Sequence, residues 1–203
     1  MIIRKAEARD APAMARCIYM AEGEMTPFFT GHREPEKAGR VLREFILSDV
    51  SNRYSIDNAF VAEIDGRTVG SAFAFPADSQ PELDLLILAS VNARGENIKE
   101  LFFEGEPGTW YLSTMAVDPA FRGKGAGSAL MKAAEEEGAR RGFARSSLLV
   151  DLRKEKAKAL YERLGYAMIG NAEIGPVRYC RMGKQSGSGQ GGAGWGVITP
   201  RGA

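Results

Sequence analysis

The strongest chemical signal in the chain is seven residues long: Arg122-Gly123-Lys124-Gly125-Ala126-Gly127-Ser128. A strand-like run ends at Val117, Pro119 breaks it, and a helical pattern begins near Ser128. The glycines at 123, 125 and 127 let the backbone turn tightly and bring its N–H groups close to an anion. The first turn of the following helix adds unpaired N–H donors and the positive end of the helix dipole. Arg122 and Lys124 add formal charge. A strand, a basic glycine loop and a helix in this order can hold a phosphate, although three glycines in five residues also make an ordinary turn. The loop lacks the Gly-Lys-Ser/Thr end of a P-loop and the Gly-x-Gly-x-x-Gly spacing of a dinucleotide site.

What the stretch does match is Arg-x-x-Gly-x-Gly after a strand ending Val-x-Pro, with Val117, Pro119, Arg122, Gly125 and Gly127 at those places. Further on stand Ala157, Leu160-Tyr161 and Gly165-Tyr166. In this order the two stretches resemble the acetyl-CoA loop and the Ala-x-x-Leu-Tyr-x-x-x-Gly-aromatic signature of the GCN5-related N-acetyltransferase (GNAT) family. The resemblance spans about Ile2 to Met182, and its specific motifs lie between Met115 and Tyr166. It implies an α/β (α+β) GNAT-like acyl-CoA N-acyltransferase fold. That fold is a mixed twisted sheet of six to seven strands, with helices on both faces and a splayed central strand pair, here Tyr111–Val117 and Ser146–Leu152.

The resemblance also implies acetyl-CoA as co-substrate, with no metal. The loop Arg122, Gly123, Lys124, Gly125, Ala126, Gly127 and Ser128 would hold the pyrophosphate. Backbone groups of Met115, Ala116 and Val117 would pair with the pantetheine arm as an added strand does, since splayed strands leave N–H and C=O groups free. Tyr161 would protonate the leaving thiolate; a phenol (pKa about 10) and a thiol (about 8.5) are close enough for that transfer. Two positions depart from the family pattern. Lys154 stands where an Asn often touches the cofactor, and could reach phosphate or carbonyl groups instead. Leu148-Leu149-Val150 replaces the Leu-Glu-Val common in acetyltransferases of protein N-termini, which weakens that reading.

Acetyl transfer to an amine also requires a neutral amine. The strand Trp110–Val117 has no carboxylate to act as base; Ser113 and Thr114 could orient a relaying water. Glu24 and His32 fall in the segment that lines the acceptor site in the family.

The elements that must position these residues follow from pattern. Ile2–Lys5 reads as a strand, and Asp10 with Pro12 starts a helix that buries Met14, Ile18 and Met20. Glu22 to Pro35, with two prolines and two glycines, reads as a loop, in which Phe28 and Phe29 could wall an acceptor pocket. A helix over Glu36–Leu47 and a hairpin of Phe60–Ile64 and Thr68–Phe75 follow. Residues 76–109 form an unusually long connection, expected to hold helical pieces at Leu83–Ala89 and Asn97–Phe103. It carries seven acids against two bases. That is either a solvated insert or an acidic rim that attracts a cationic amine. After the loop come a helix over Ser128–Arg141, a strand over Arg145–Leu152, a helix over Glu155–Leu164, and short strands at Tyr166–Ile169 and Val177–Met182. Gly138 is unfavourable inside its helix. Residues 1–182 are expected to form the catalytic domain. Residues 183–203, with eight glycines, are expected to be a disordered tail, with Trp195, Val197 and Ile198 as the exceptions with apolar surface to dock.

At 203 residues, 44% hydrophobic, 26% charged and with net charge +1, the chain suits one domain and gives no reason to expect nucleic acid or a membrane as partner. Cys17 and Cys180 have no metal-like spacing and read as reduced thiols. No signal-peptide core is evident, so a cytoplasmic protein is expected. The sequence-level expectation is an acetyl-CoA-dependent N-acetyltransferase of a small cationic amine. Acetylation of a protein lysine or N-terminal amine, or a non-catalytic acyl-CoA sensor, are the alternatives, and a homodimer stays open.

Overall fold

The structure, a computed structural model, describes residues 1–186. Seven strands form one sheet in the order β1-β2-β3-β4-β5-β7-β6. They are β1 (Ile2–Lys5), β2 (Ala59–Ile64), β3 (Arg67–Pro76), β4 (Trp110–Val117), β5 (Arg145–Asp151), β6 (Ala167–Ile174) and β7 (Val177–Gln185). Every neighbouring pair is antiparallel except β4 with β5.

The central strand β3 is buried on both sides from Val69 to Phe75, because helices cover both faces of the sheet. On one face lie α1 (Ala11–Glu22), α2 (Thr26–Thr30), α3 (Pro35–Ile46) and α5 (Leu85–Asn92), which follows the short α4 (Gln80–Leu83). There Met14, Ile18, Leu42, Ile46 and Ile87 pack on Val61 and Phe73. On the other face α6 (Ala126–Arg140) sets Leu130, Met131 and Ala134 against Val69, Ala72 and Ala74, with α7 (Glu155–Arg163) beside it. Gly138, unfavourable for its helix, is explained by this packing. A Cβ there would stand 2.5 Å from Cγ of the buried Trp110. Fit against the indole outweighs helix propensity at that one position.

Three expectations are corrected. The segment expected as a loop between the first helices is largely helical. Pro27 sits in the first turn of α2 and Gly31, in the left-handed conformation, ends it. The proline and glycine mark the ends of a short helix here. In the insert, no helix forms at Asn97–Phe103. Its backbone is satisfied by side chains instead: Asn92 bonds both the N–H and C=O of Ile98, and Gln80 bonds Phe102 C=O, Glu104 N–H and Gly105 N–H. At the C-terminus β7 runs on to Gln185, pairing with β5, three residues into the stretch expected as tail. Trp195, Val197 and Ile198 lie outside the described residues.

Candidate active site

The parallel seam between β4 and β5 is short. Trp110, Tyr111 and Leu112 face Ser146, Ser147 and Leu148, and the register ends there. The cause is visible on the other side of β4. Phe73 faces Thr114 while Ala74 faces Leu112, so Ser113 is an extra residue, a bulge that bends the strand away from β5. From Thr114 to Val117 and from Leu149 to Asp151, the edges that would have met have no strand partner. A cavity of about 120 Å³ occupies the gap.

The cavity has two walls, one from each face of the sheet. On the α6–α7 side it is lined by Met131, Ala157 and Tyr161. The ring of Tyr161 packs edge-on against Tyr166 at 6.2 Å. Its hydroxyl has no hydrogen-bond partner among the described residues, and burial pushes its pKa up to about 12. Close by, the two sequence signatures meet: a Cβ on Gly127 would lie 3.5 Å from Leu160.

The glycine loop continues from the β4 edge. Gly123 (φ 75°) and Gly125 (φ 82°) hold left-handed conformations, and a Cβ on either would meet nothing within 4 Å. Glycine is therefore required by backbone conformation, not by crowding. Gly125 is the N-cap of α6 and brings no side chain, so none satisfies the first-turn N–H groups. Nε of Arg122 donates to the Val117 carbonyl at 3.1 Å and pins the loop to the strand end. Nζ of Lys124 sits over the Phe121 ring at 5.1 Å. The arrangement is a series of open backbone donors with two exposed cations, suited to an anion.

The wall on the α1 side is polar. Glu22, the last residue of α1, projects into the cavity. Its Oε1 accepts from the hydroxyls of Tyr54 and Thr114, each at 3.0 Å. Burial, reinforced by the nearby Glu104 charge, holds its pKa above the usual carboxylate range. Behind it Arg53, 1% exposed, donates to Asp84 at 2.5 and 2.6 Å and to Glu104 at 2.6 Å. Glu104 also accepts from Tyr111 at 2.8 Å. Phe29 and Met25 close this end against Ile174 at the β6–β7 turn, all in one buried cluster.

The acetyltransferase (GNAT) family profile matches residues 19–166. The chain belongs to the GNAT family. A solved acetyltransferase structure is 28% identical, with a TM-score of 0.73 over 92% of this chain and all of its own. An N-acetyltransferase from Staphylococcus aureus Mu50 superposes with a TM-score of 0.78 at 19% identity, over 90% of this chain and all of its own. Naa20 of Chaetomium thermophilum, solved with a bisubstrate analogue, gives 0.52 at 18% identity, over 91% of this chain and 86% of its own. These last two are likenesses of fold. No curated protein matches the sequence.

In this GNAT chain, Met115, Lys154 and Tyr161 line the cavity, while Ala116, Val117 and Arg122 to Ser128 run from its β4 edge to the start of α6. Lys154 stands at the start of α7. Its ammonium donates to the Ala21 carbonyl at 2.6 Å, bridging the gap to the end of α1. Glu24 pairs at the surface with Arg153, and His32 is absent from the cavity lining. Of the aromatic pair, Phe29 lines the cavity and Phe28 packs behind it. The insert's acids are mostly spent on structure. Asp84 and Glu104 hold Arg53, Glu106 holds Arg181, and Asp78 accepts from Gly108 N–H. Only Glu104 of the seven reaches the cavity. Sequence reasoning missed Glu22, yet a signal existed. Met14, Ile18 and Glu22 stand four apart on one helix face, so the half-buried carboxylate extends the line of the fully buried Met14 and Ile18.

Proposed function

We propose that this chain transfers the acetyl group of acetyl-CoA to the primary amine of a small cationic acceptor. The observation that supports it most is the slot through the sheet. A phenol without an internal partner stands on one wall, and a carboxylate without a cation stands on the other. The unpaired edge of Met115, Ala116 and Val117 would take the pantetheine arm, and the residues Arg122 to Ser128 would take the pyrophosphate. Tyr161 is the acid for the sulfur: its proton stays in place throughout the ordinary pH range, so it is there to be given to the departing thiolate in the same cavity.

Two features favour a small cation as acceptor. The α1 wall presents Glu22 and Glu104 to the cavity, and carboxylates in a low-dielectric pocket attract an ammonium. The acceptor end is also closed, with Met25 and Phe29 packed against Ile174, which leaves little room for a folded protein's chain. The test is thiol release and acetyl-CoA binding on one sample, against polyamines, amino acids, aminoglycosides and short peptides. Release on a small amine is the expected result. Release on peptides alone would transfer the reading to protein acetylation. Binding with no release would favour an acyl-CoA sensor, and no binding would sink the cofactor assignment.

A further inference from the structure

We infer that Glu22 is the general base of this active site, taking a proton from the acceptor ammonium before the nitrogen attacks. The inference rests on the acetyl-transfer reading above and adds the group that sequence motifs did not supply.

Three carboxylates line the cavity: Glu22, Glu104 and Asp151. Glu104 is held by the Arg53 guanidinium at 2.6 Å and by the Tyr111 hydroxyl, both facing it from outside α1. Asp151, at the end of β5, is held by Arg153 at 2.8 Å. Glu22 alone of the three has no cation within ion-pair distance among the described residues; its partners are the hydroxyls of Tyr54 and Thr114. Lys154 lines the same cavity but donates its hydrogen bond to the Ala21 carbonyl, and Tyr179 of β7 faces the same space as a neutral phenol. A carboxylate already bound to a guanidinium has its oxygens engaged and is not free to meet an incoming ammonium. Glu22 makes no such ion pair, and Arg53 acts on it only through space, against the larger opposing effects of burial and the Glu104 charge.

Its place on the backbone points the same way. Gly23 (φ 56°) ends α1 immediately after Glu22, so the carboxylate stands at the negative end of a twelve-residue helix. That end disfavours a second negative charge and makes the carboxylate more basic. Thr114, one of its two partners, is the residue after the β4 bulge, where the slot begins. The base thus reaches the slot from one face of the sheet while Tyr161 reaches it from the other. Proton removal and proton donation are kept on opposite sides of the reacting carbon.

The protons balance. The Glu22 carboxylate takes one proton from R–NH3+, freeing the nitrogen lone pair. The nitrogen attacks the thioester carbonyl, the C–N bond forms and the C–S bond breaks. Sulfur leaves with the electron pair and takes the Tyr161 proton. The surplus proton on the amide nitrogen returns through water to Tyr161, and Glu22 gives its own proton to solvent, one released per turnover.

The decisive experiment is the pH dependence of kcat/KM for wild type and Glu22→Gln, with acetyl-CoA affinity measured on both. Glu22→Gln should lower kcat about 100-fold, flatten the acid limb of the profile and leave acetyl-CoA affinity unchanged. Added formate should restore part of the activity of Glu22→Ala, which a merely structural carboxylate would not allow. An unchanged acid limb in Glu22→Gln overturns the inference. So does a rise in amine KM at constant kcat, since Glu22 would then anchor the cation without moving its proton. If Glu22→Gln fails to bind acetyl-CoA, formate decides: rescue of Glu22→Ala supports the base and no rescue overturns it. Absence of wild-type thiol release on every amine would be a different failure, that of the acetyl-transfer reading itself.

Discussion

The two walls of the slot are built by opposite means. The α6–α7 wall comes from contiguous sequence: strand, glycine loop and helix follow one another from Trp110 to Arg140, and Tyr161 sits one residue after Leu160, which touches the start of that helix. Tyr161, which lines the cavity from this wall, is perturbed by burial alone. The α1 wall is assembled across the chain. Arg53 meets Asp84 from 31 residues away and Glu104 from 51, and Glu22 meets Thr114 from 92. The difference teaches that a loop of open backbone donors can be encoded locally, whereas a charged pocket needs long-range partners to keep buried ions paired.

This contrast can be broken by mutation. The largest effect belongs to the α1 wall. Arg53→Met leaves Asp84 and Glu104 buried without their cation and should cost about 3–5 kcal/mol of stability in a denaturant titration. Tyr161→Phe should instead lower kcat about 100-fold while the unfolding midpoint and acetyl-CoA affinity stay put. A loss of stability as large as that of Arg53→Met would show that the two walls are not separately built. Next in size is Gly125→Ala, which forces a Cβ into a left-handed backbone at about 1–2 kcal/mol. Calorimetry should find weaker acetyl-CoA binding, with the amine KM unmoved. The smallest effect is on alkaline stability. Tyr161 holds its proton to about pH 12 in the fold, whereas an unfolded tyrosine releases it near pH 10. The unfolded form therefore binds fewer protons between those values, and stability falls as pH rises through them. Tyr161→Phe should flatten that fall slightly, the other five tyrosines remaining.

How much was legible in the sequence follows the same division. The strand–loop–helix and the Tyr161 helix were readable because glycine spacing and periodicity are local signals. Arg53 was not, since a lone arginine in Asn52-Arg53-Tyr54 looks like any surface cation until the insert folds over it. The insert's acidity was readable but its purpose was not. Its charge suggested a solvated insert or an acidic rim, whereas Asp84, Glu104 and Glu106 turn inward to arginines. The helix expected at Asn97–Phe103 failed for a related reason: the Asn92 and Gln80 side chains that replace its hydrogen bonds lie outside that stretch.

The bulge at Ser113 has a mechanical consequence. Because it cuts the parallel seam to three residue pairs, the sheet is two ribbons, β1–β4 and β5–β7, joined along a short stitch. A ligand that bonds to both open edges supplies the missing rungs and couples the ribbons. The amides of residues 114–117 and 149–151 that face the gap should then exchange with solvent more slowly when acetyl-CoA is bound, while those of β1 and β6 at the sheet's outer edges stay unchanged. In this fold the substrate would itself be a piece of the sheet, present only during turnover.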